Sequence, residues 1–204
     1  MKKKAIIFIS GRGSNSITIL NAVKDGYLKN LEINMIISDN SNAPGLKKAK
    51  KAGFNAIFVN AGAKKSKFSE RGMENYLNLI RKIKPDYIFL AGFMRIIPER
   101  IIKSVKYVLN IHPSLLPSFK GLDVQKQALD YGVKISGCTV HFVDTNVDNG
   151  PIIIQRVVPV FDNDTVEILS QRILKEEHKA YTEAIWLLIN NKLKIRDRIV
   201  EILE

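Results

Sequence analysis

Short apolar runs alternate with longer segments of helical periodicity through the first half of the chain. The apolar runs have the length and composition of buried parallel strands. We predict strands at 5–9, 33–37, 55–59, 87–91 and 105–109. Between them, apolar residues recur at helical intervals, and we predict helices at 14–23, 44–53 and 68–83. This alternation favours a parallel sheet with right-handed crossovers and helices on both faces.

The pattern changes after residue 134. Two predicted strands, 136–143 and 152–160, face each other across a loop, as in an antiparallel hairpin. A long helix at 165–191, capped by Asp164 or Thr165, ends the predicted fold. The expected architecture is therefore α/β: a single-domain, doubly wound, mostly parallel twisted sheet of about seven strands, with helices on both faces and an antiparallel C-terminal hairpin.

Composition narrows the possible classes of protein. The 204 residues are 46% hydrophobic and 25% charged, which suits one globular domain. The sequence has no apolar run long enough for a membrane span, so we expect no membrane partner. A single cysteine, Cys138, rules out an intrachain disulfide and favours a reducing, cytoplasmic compartment. The net charge of +12 favours anionic ligands, but the basic residues are scattered, so we expect no nucleic-acid partner.

Polar side chains follow the fifth predicted strand at its carboxyl end, where ligands bind in open α/β sheets. Asn110 and His112 stand there, and Pro113 and Pro117 prevent a strand or a helix from continuing. The amide of Asn110 can hold a carbonyl oxygen, and the imidazole of His112 can move a proton near neutral pH. The pair indicates an acyl-transfer or carbonyl site. The alternative is that both side chains only hold the proline-rich loop in place.

A glycine-rich turn, reading SGRGSN, connects the first strand to the first helix. Gly11 and Gly13 allow a tight turn, and the helix N-terminus offers N–H groups and a partial positive charge to an anion such as phosphate. The turn is not a P-loop, and Ser16 stands where a dinucleotide fingerprint needs its third glycine. The alternative is a plain glycine turn capped by Ser14 or Asn15.

Large apolar residues surround one arginine after the fourth predicted strand, in the segment 91–98. We call this apolar segment, 91–98, the lip. A surface of this kind can hold a flat heterocycle, with backbone groups contacting the polar edge of the ligand. The alternative is an ordinary short helix packed on the sheet.

Carboxylates in the second half of the chain add further candidates. The hairpin loop brings Asp144 and Asp148 into one turn, where a carboxylate can either support His112 or serve local hydrogen bonds. Glu177 lies on the apolar stripe of the last helix, so it needs a basic partner or a ligand. The three histidines lack the spacing of metal ligands, and we expect no metal.

Several motifs, in order and at consistent spacing, resemble the phosphoribosylglycinamide formyltransferase family. They are GRGSN at 11–15, AGFMRIIP at 91–98, LNIHPSLLPSFKG at 109–121, GCTVHFVD at 137–144 and VDNGPII at 147–153. The resemblance implies transfer of the formyl group of the co-substrate 10-formyltetrahydrofolate to the amine of glycinamide ribonucleotide, in purine biosynthesis. It implies small-molecule substrates, and we expect a monomer or a weak homodimer.

The resemblance also assigns roles to residues. It implies that Asn110, His112 and Asp148 are catalytic. The residues implied in ribonucleotide binding are Gly11, Gly13, Ser14, Asn15 and Glu177. Those implied in folate binding are Arg71, Met94, Arg95, Ile96, Ile97, Asn110, Val143 and Asp144. On this basis, 1–100 is the phosphate- and ribonucleotide-binding half of the domain, and 101–204 is the catalytic and folate-binding half.

Other functions stay open at this point. Methionyl-tRNA formyltransferase and formyltetrahydrofolate deformylase share the catalytic core, but the first adds a C-terminal domain and the second a preceding regulatory domain. We expect neither addition, because the first strand begins at Ala5 and the chain ends soon after its last helix. A non-catalytic nucleotide-binding module is an alternative of another class, in which Asp39 contacts a ribose.

Overall fold

The computed structural model describes residues 2–203, and the chain divides into two compact units, Met1–Leu109 and Asn110–Glu204. The strands are β1 (Lys3–Ile9), β2 (Leu31–Ser38), β3 (Ala56–Phe58), β4 (Tyr87–Leu90), β5 (Tyr107–His112), β6 (Ile135–Phe142), β7 (Ile152–Pro159), β8 (Leu193–Arg196) and β9 (Ile199–Ile202). The helices are α1 (Ser14–Lys24), α2 (Pro44–Lys51), α3 (Glu70–Ile83), α4 (Glu99–Ile102), α5 (Val124–Tyr131) and α6 (Val166–Ile189).

The first unit contains the parallel strands that the alternation of strands and helices predicted. Their order is β3-β2-β1-β4, and both β2 and β4 pair with β1 in parallel. The residues of β1 from Ala5 to Ile9 are fully buried, as expected for a central strand. Because the carboxyl ends of parallel strands meet at one edge, the segments that follow β1, β2 and β4 emerge there together.

Helix α3 supplies the aromatic core beneath this edge. It begins where the side chain of Ser69 accepts a hydrogen bond from the N–H of Gly72 at 3.0 Å. Its fully buried Tyr76 packs edge-on against Phe8 of β1, with ring centroids 5.1 Å apart. Tyr76 also contacts Phe93, which follows β4. The segment after β4 is therefore anchored on one side by aromatic packing.

The second unit contains the predicted antiparallel hairpin, in which β6 pairs with β7 from Ile135 opposite Pro159 to His141 opposite Ile152. Its strand order is β5-β6-β7-β9-β8. The helix that follows begins at Thr165, whose hydroxyl accepts from the N–H of Ile168 at 3.3 Å. Thr165 is therefore the N-cap of α6. The α/β fold class with its antiparallel hairpin is confirmed.

Several elements differ from the sequence-based expectation. The described residues form nine strands rather than about seven, because β8 and β9 form a second hairpin after α6. The sequence predicted no strands after the last helix, and that expectation is wrong. The short helices α4 and α5 were also missed. In contrast, 91–98 is irregular, so the alternative of a short helix there is wrong. No helix among the described residues is both long and apolar enough to cross a membrane.

Candidate active site

Strand β5 places Asn110 and His112 in the second unit. The strand extends to His112, so both residues belong to the strand itself rather than to the segment that follows it. Alternate residues of a strand point to the same face, which puts the two side chains side by side. Ile111 points the other way and is buried. His112 is only 4% exposed, and Asn110 is half-buried.

The ring of His112 is held by the loop that follows β5. Its Nε2 lies 2.9 Å from the carbonyl oxygen of Phe119. A carbonyl oxygen can only accept, so Nε2 carries the hydrogen in this contact. The hydroxyl of Ser114 lies 3.1 Å from the same carbonyl and 2.6 Å from the carbonyl of Ser118, so its single hydrogen is shared between the two. The nitrogen left for chemistry is therefore Nδ1, which faces Asp148 Oδ2 at 3.5 Å.

Asp148 closes the arrangement from the loop between β6 and β7. Its Oδ2 accepts a hydrogen bond from the backbone N–H of Gly121 at 2.9 Å. Its Oδ1 lies 3.5 Å from the amide nitrogen of Asn110. Asp148 adopts a left-handed backbone conformation with φ of 48°, which few non-glycine residues tolerate without support. The structure thus brings Asn110, His112 and Asp148 together.

The two carboxylates of this loop have different surroundings. Asp144 accepts from the N–H of Asn146 at 2.8 Å and from the side-chain amide of Asn149 at 3.2 Å, so its bonds are local. Asp148 instead reaches His112 and Gly121, which are distant in sequence. The local interpretation therefore fits Asp144. The interpretation as a partner of the histidine fits Asp148.

The proline-rich loop after β5 has its own supports. Thr139 Oγ1 donates to the carbonyl of Ser114 at 2.7 Å and accepts from the N–H of Leu116 at 3.0 Å. Gln155 donates to the carbonyl of Leu116 at 2.9 Å. Because these buried bonds already hold the loop, the alternative that Asn110 and His112 serve only the loop is weakened.

A second histidine, which the sequence did not single out, lies beside these residues. His141 of β6 is 1% exposed, and its Nε2 is 3.2 Å from the amide nitrogen of Asn110. Its Nδ1 is 2.8 Å from the carbonyl oxygen of Phe142. Burial lowers the pKa of His141, although the Phe142 carbonyl and Asp148 oppose that shift. The alternation of β6 and the motif GCTVHFVD at 137–144 were the sequence signals for its position.

The loop that carries Asp148 is also held by residues outside the cluster of Asn110, His112 and Asp148. Lys120 donates to the side-chain oxygen of Asn149 at 3.2 Å. Arg198, in the turn between β8 and β9, donates to the backbone carbonyl of Asn149 at 2.9 Å. The C-terminal hairpin that the sequence analysis missed therefore supports this loop.

In the first unit, the glycine turn leads directly into α1. The N-cap of α1 is Gly13, with φ of 70°, so a cap at Ser14 or Asn15 is not found. The carbonyl of Gly13 accepts from the hydroxyl of the buried Ser16 at 2.7 Å. The approach of Gly45 leaves no room for a side chain at position 13. The backbone of this turn is therefore sharply defined, as an anion-binding turn requires.

The lip after β4 exposes two apolar side chains. Met94 and Ile96 are 52% and 45% exposed, whereas Phe93 and Ile97 are buried. The N–H of Met94 donates to the hydroxyl of Ser10 at 2.9 Å, which joins the lip to the glycine turn. The segment is thus a fixed edge with an apolar surface.

The guanidinium of Arg95, a residue that the resemblance implied in folate binding, is held by other parts of the chain. Its Nε donates to Asp39 Oδ2 at 2.6 Å. Its other nitrogens donate to the backbone carbonyls of Gly62, Lys64 and Lys67. These bonds use nearly all of its donors, so the backbone of the segment is what it leaves for a ligand. Asp39 Oδ2 is held by this ion pair and its side chain is only 9% exposed, which limits the access of a ribose to it.

The remaining candidates fall at scattered places in their own units. Arg71 is exposed in the first turn of α3, and Glu177 is buried in α6. Val143 and Asp144 are half-buried just after β6.

Burial and the charge of Glu177 raise the pKa of the Cys138 thiol to about 12. Within residues 2–203, no cluster of three or more histidine, cysteine or acidic side chains could hold a metal ion.

Comparison with known proteins gives one consistent family. A family model described as formyl transferase matches residues 3–185. The chain is 33% identical over 209 residues to the chloroplastic phosphoribosylglycinamide formyltransferase of Arabidopsis thaliana, covering 100% of this chain and 71% of that protein. It superimposes on glycinamide ribonucleotide transformylase 1 from Symbiobacterium toebii with a TM-score of 0.93 and 41% identity, covering 100% of this chain and 95% of the other.

The chain also matches a part of much longer proteins. It is 40% identical over 200 residues to the trifunctional purine biosynthetic protein adenosine-3 of Chironomus tentans. That match covers 97% of this chain and 14% of the longer protein. The chain therefore spans about a seventh of that relative.

Proposed function

The chain belongs to the formyl transferase family, and on this premise we propose that it transfers the formyl group of 10-formyltetrahydrofolate to the amine of glycinamide ribonucleotide. The products are formylglycinamide ribonucleotide and tetrahydrofolate, and the reaction belongs to de novo purine biosynthesis. The observation that carries the proposal is the convergence of Asn110, His112 and Asp148 in one cluster. An amide donor, an imidazole and a carboxylate are the groups that formyl transfer needs.

The first chemical step is attack of the substrate amine on the formyl carbon. A carbon–nitrogen bond forms, and the carbonyl electron pair moves to oxygen. The amide N–H of Asn110 and the protonated ring of His112 stabilise that negative oxygen, as donors in an oxyanion hole do. The carbon–nitrogen bond to the folate then breaks, and its electron pair stays on the folate nitrogen.

Proton transfer is assigned to one atom of His112. Because Nε2 is held by Phe119, Nδ1 is the nitrogen that gives a proton to the departing folate nitrogen. Nδ1 takes up the proton that the attacking amine loses, so the ring returns to its starting state and the proton count balances. Asp148, 3.5 Å from Nδ1, stabilises the charged ring. Such proton transfer contributes roughly 10²–10⁴-fold in rate.

Positioning of the two substrates is expected to contribute more than proton transfer. Holding two reactants in reactive geometry can supply about 7–11 kcal/mol. We assign the phosphate of the ribonucleotide to Gly11, Gly13, Ser14 and Asn15, supported by the sharply defined turn before α1. We assign a further contact of the ribonucleotide to Glu177. The residues assigned to the phosphate lie in the proposed binding half, 1–100, and Glu177 lies in the proposed catalytic and folate-binding half, 101–204.

We assign folate contacts in each unit separately, to the apolar lip in the first unit and to residues after β6 in the second. The exposed side chains of Met94 and Ile96 can cover a flat ring system, while backbone groups of 94–97 contact its polar edge. Val143 and Asp144, with Asn110, would line the reacting end, and Arg71 the anionic tail. Arg95 contributes through its backbone, since its guanidinium is occupied.

The partners proposed here are the two small-molecule substrates, with no metal, nucleic acid or membrane. We propose a monomer or weak homodimer, which light scattering over a concentration series tests. A cytoplasmic location is proposed from the single buried and free Cys138. Because the Arabidopsis relative is chloroplastic, imaging of a fluorescent fusion in the source cells is the direct test.

The decisive experiment is an absorbance assay for tetrahydrofolate release, run with and without glycinamide ribonucleotide. The proposal requires turnover only when the ribonucleotide is present. Release in its absence would instead identify a deformylase, and binding of nucleotide without any release would identify a non-catalytic module. His112→Ala and Asp148→Asn should retain the fold and ligand binding but lower kcat by about 10²-fold or more. Near-normal turnover in both variants contradicts the assignment.

A further inference from the structure

We propose that His141 is a positioning residue that fixes the orientation of the Asn110 amide, and with it the direction of the N–H that meets the formyl oxygen. This inference rests on the function proposed above. His141 does not need to touch a substrate for this role, because it acts through Asn110.

The tautomer of His141 follows from its contact with the backbone. Its Nδ1 lies 2.8 Å from the carbonyl oxygen of Phe142, and a carbonyl oxygen can only accept. Nδ1 therefore carries a hydrogen. In the neutral ring, Nε2 then has a free electron pair and serves as an acceptor. This electron pair points toward Asn110, since Nε2 is 3.2 Å from the amide nitrogen.

The orientation of the Asn110 amide follows from its two neighbours on that side. Both are acceptors: His141 Nε2 at 3.2 Å and Asp148 Oδ1 at 3.5 Å. The NH₂ group must face them, and the amide oxygen must point away. The shorter bond to His141 uses one hydrogen of the amide. The second hydrogen makes only a long contact with Asp148, so it is the one that a developing negative oxygen can take.

Burial keeps the ring of His141 in the neutral form that this arrangement requires. The ring is 1% exposed. Burial is the largest cause of its lowered pKa, and His112 lowers it further. Asp148 and Asp144 favour the charged form and oppose the shift, as does the Phe142 carbonyl. A protonated ring would present an N–H at Nε2, and the amide would have to turn its oxygen toward it.

A turned amide would place an acceptor where the reaction needs a donor. The amide oxygen would then face Asp148 and the negative oxygen of the intermediate, and both contacts are repulsive. The acceptor at Nε2 of His141 prevents this. A core histidine with no such role would need only to fill its space, so an aromatic ring of similar size would replace it.

Two variants separate these cases. In His141→Gln, the side-chain oxygen can accept from Asn110 at about the position of Nε2. In His141→Phe, a ring fills the space but has no acceptor. We expect His141→Phe to lower kcat by about 10- to 100-fold. This loss is smaller than the roughly 10²–10³-fold loss of kcat that follows removal of an oxyanion donor. We expect His141→Gln to stay within about threefold of the wild type, and the KM of both substrates to change little in either variant.

Two outcomes overturn the inference. Equal loss of kcat in both variants would mean that the imidazole is needed for another reason. Normal kcat in His141→Phe would mean that no acceptor is needed at all. If His141→Phe does not fold, the comparison of His141→Gln with His141→Leu, each checked by circular dichroism, carries the same test.

A measurement on the wild-type protein without substrates is independent of turnover. Nitrogen NMR of the imidazole rings near neutral pH reports which nitrogen of each histidine carries the hydrogen. We expect a neutral His141 with its hydrogen on Nδ1. A hydrogen on Nε2, or a charged ring, overturns the inference. If the wild type shows this tautomer but transfers no formyl group to the ribonucleotide, the proposed function fails and the placement of His141 stands.

Discussion

Arg95 and Asp39 form an ion pair of 2.6 Å, although their side chains are only 7% and 9% exposed. Asp39 Oδ1 is buried and has no hydrogen-bond partner among the described residues, so Arg95 is the main support of this carboxylate. The same guanidinium holds the carbonyls of Gly62 and Lys67 in the loop 62–67. The pair therefore stabilises both a buried charge and the loop next to the lip.

Removal of Arg95 should be strongly destabilising. In Arg95→Ala, the Asp39 carboxylate stays buried without its partner, and breaking a buried pair in this way costs about 3–5 kcal/mol. Urea unfolding measures this loss. Amide hydrogen exchange should show faster exchange in the loop 62–67, because its carbonyls lose their donor.

A matched control uses an arginine on the surface. Arg81 pairs with Glu74 at 3.4 Å with both side chains largely accessible, and such pairs contribute about 0–1 kcal/mol. Arg81→Ala should therefore unfold almost like the wild type. An Arg95→Ala protein as stable as Arg81→Ala would contradict the prediction. The double variant Asp39→Leu with Arg95→Met should be more stable than Arg95→Ala, because no charge is left buried.

The two glycines of the turn before α1 should respond differently to alanine. A Cβ at Gly13 would lie 2.9 Å from both Gly45 Cα and Ser16 Oγ, and φ there is 70°. Gly13→Ala should lower the free energy of unfolding by about 1–3 kcal/mol. A Cβ at Gly11 meets nothing within 4 Å. Gly11→Ala should keep the stability of the wild type.

The same variants test ligand binding at the turn. The methyl group of Gly11→Ala points into open space beside the turn. If phosphate binds there, calorimetry should show weaker ribonucleotide binding with no change in thermal unfolding. Unchanged affinity in Gly11→Ala and also in Asn15→Ala would move the phosphate away from this turn.

The positions of Asn110 and His112 could be predicted because local rules decide them. An apolar strand followed by two prolines must end there, and open α/β sheets place ligands at such ends. Local rules left open whether Asp144, Asp148 or neither supports His112, and only the resemblance implied Asp148, because this contact depends on how a loop between two later strands closes. Sequence spacing carries no information about that closure.

The contacts of the Arg95 guanidinium show a second limit of prediction from the sequence. Its partners are Asp39 and three carbonyls of another loop, all brought near by the packing of separate strands. An arginine among apolar residues looks the same in the sequence whether it binds a ligand or an internal carboxylate.

The hairpin of β8 and β9 was missed because each strand has only four residues, which is too short to show a clear alternation of apolar and polar residues.

Gly150 should be necessary for the position of Asp148. A Cβ there would lie 1.9 Å from the carbonyl oxygen of Phe142, so the loop would have to move. That carbonyl also accepts the hydrogen of His141 Nδ1. In Gly150→Ala we expect kcat to fall by about 10²-fold, since a misplacement of about 1 Å can have that effect. Asn146→Ala, at an exposed position of the same loop, is the control and should keep its kcat. Equal kcat in the two variants would contradict this prediction.

Stability should fall as the pH drops below about 6.5, before most carboxylates begin to titrate. Burial lowers the pKa of both His178 and His141 from the ordinary value of 6.5. Nε2 of His178 is buried with no hydrogen-bond partner among the described residues, which favours the neutral ring. Because each folded-state pKa lies below the unfolded one, the unfolded chain binds more protons in this range, and acid favours unfolding.

Urea unfolding at about pH 8 and about pH 5 measures this difference for His178→Gln. The variant should lose less stability than the wild type between the two pH values, because it lacks one of the two rings. Lys175→Gln, at an exposed position of α6, changes the net charge equally at both pH values and should keep the wild-type difference. A pH dependence in His178→Gln as steep as in Lys175→Gln would mean that the buried ring of His178 is not responsible.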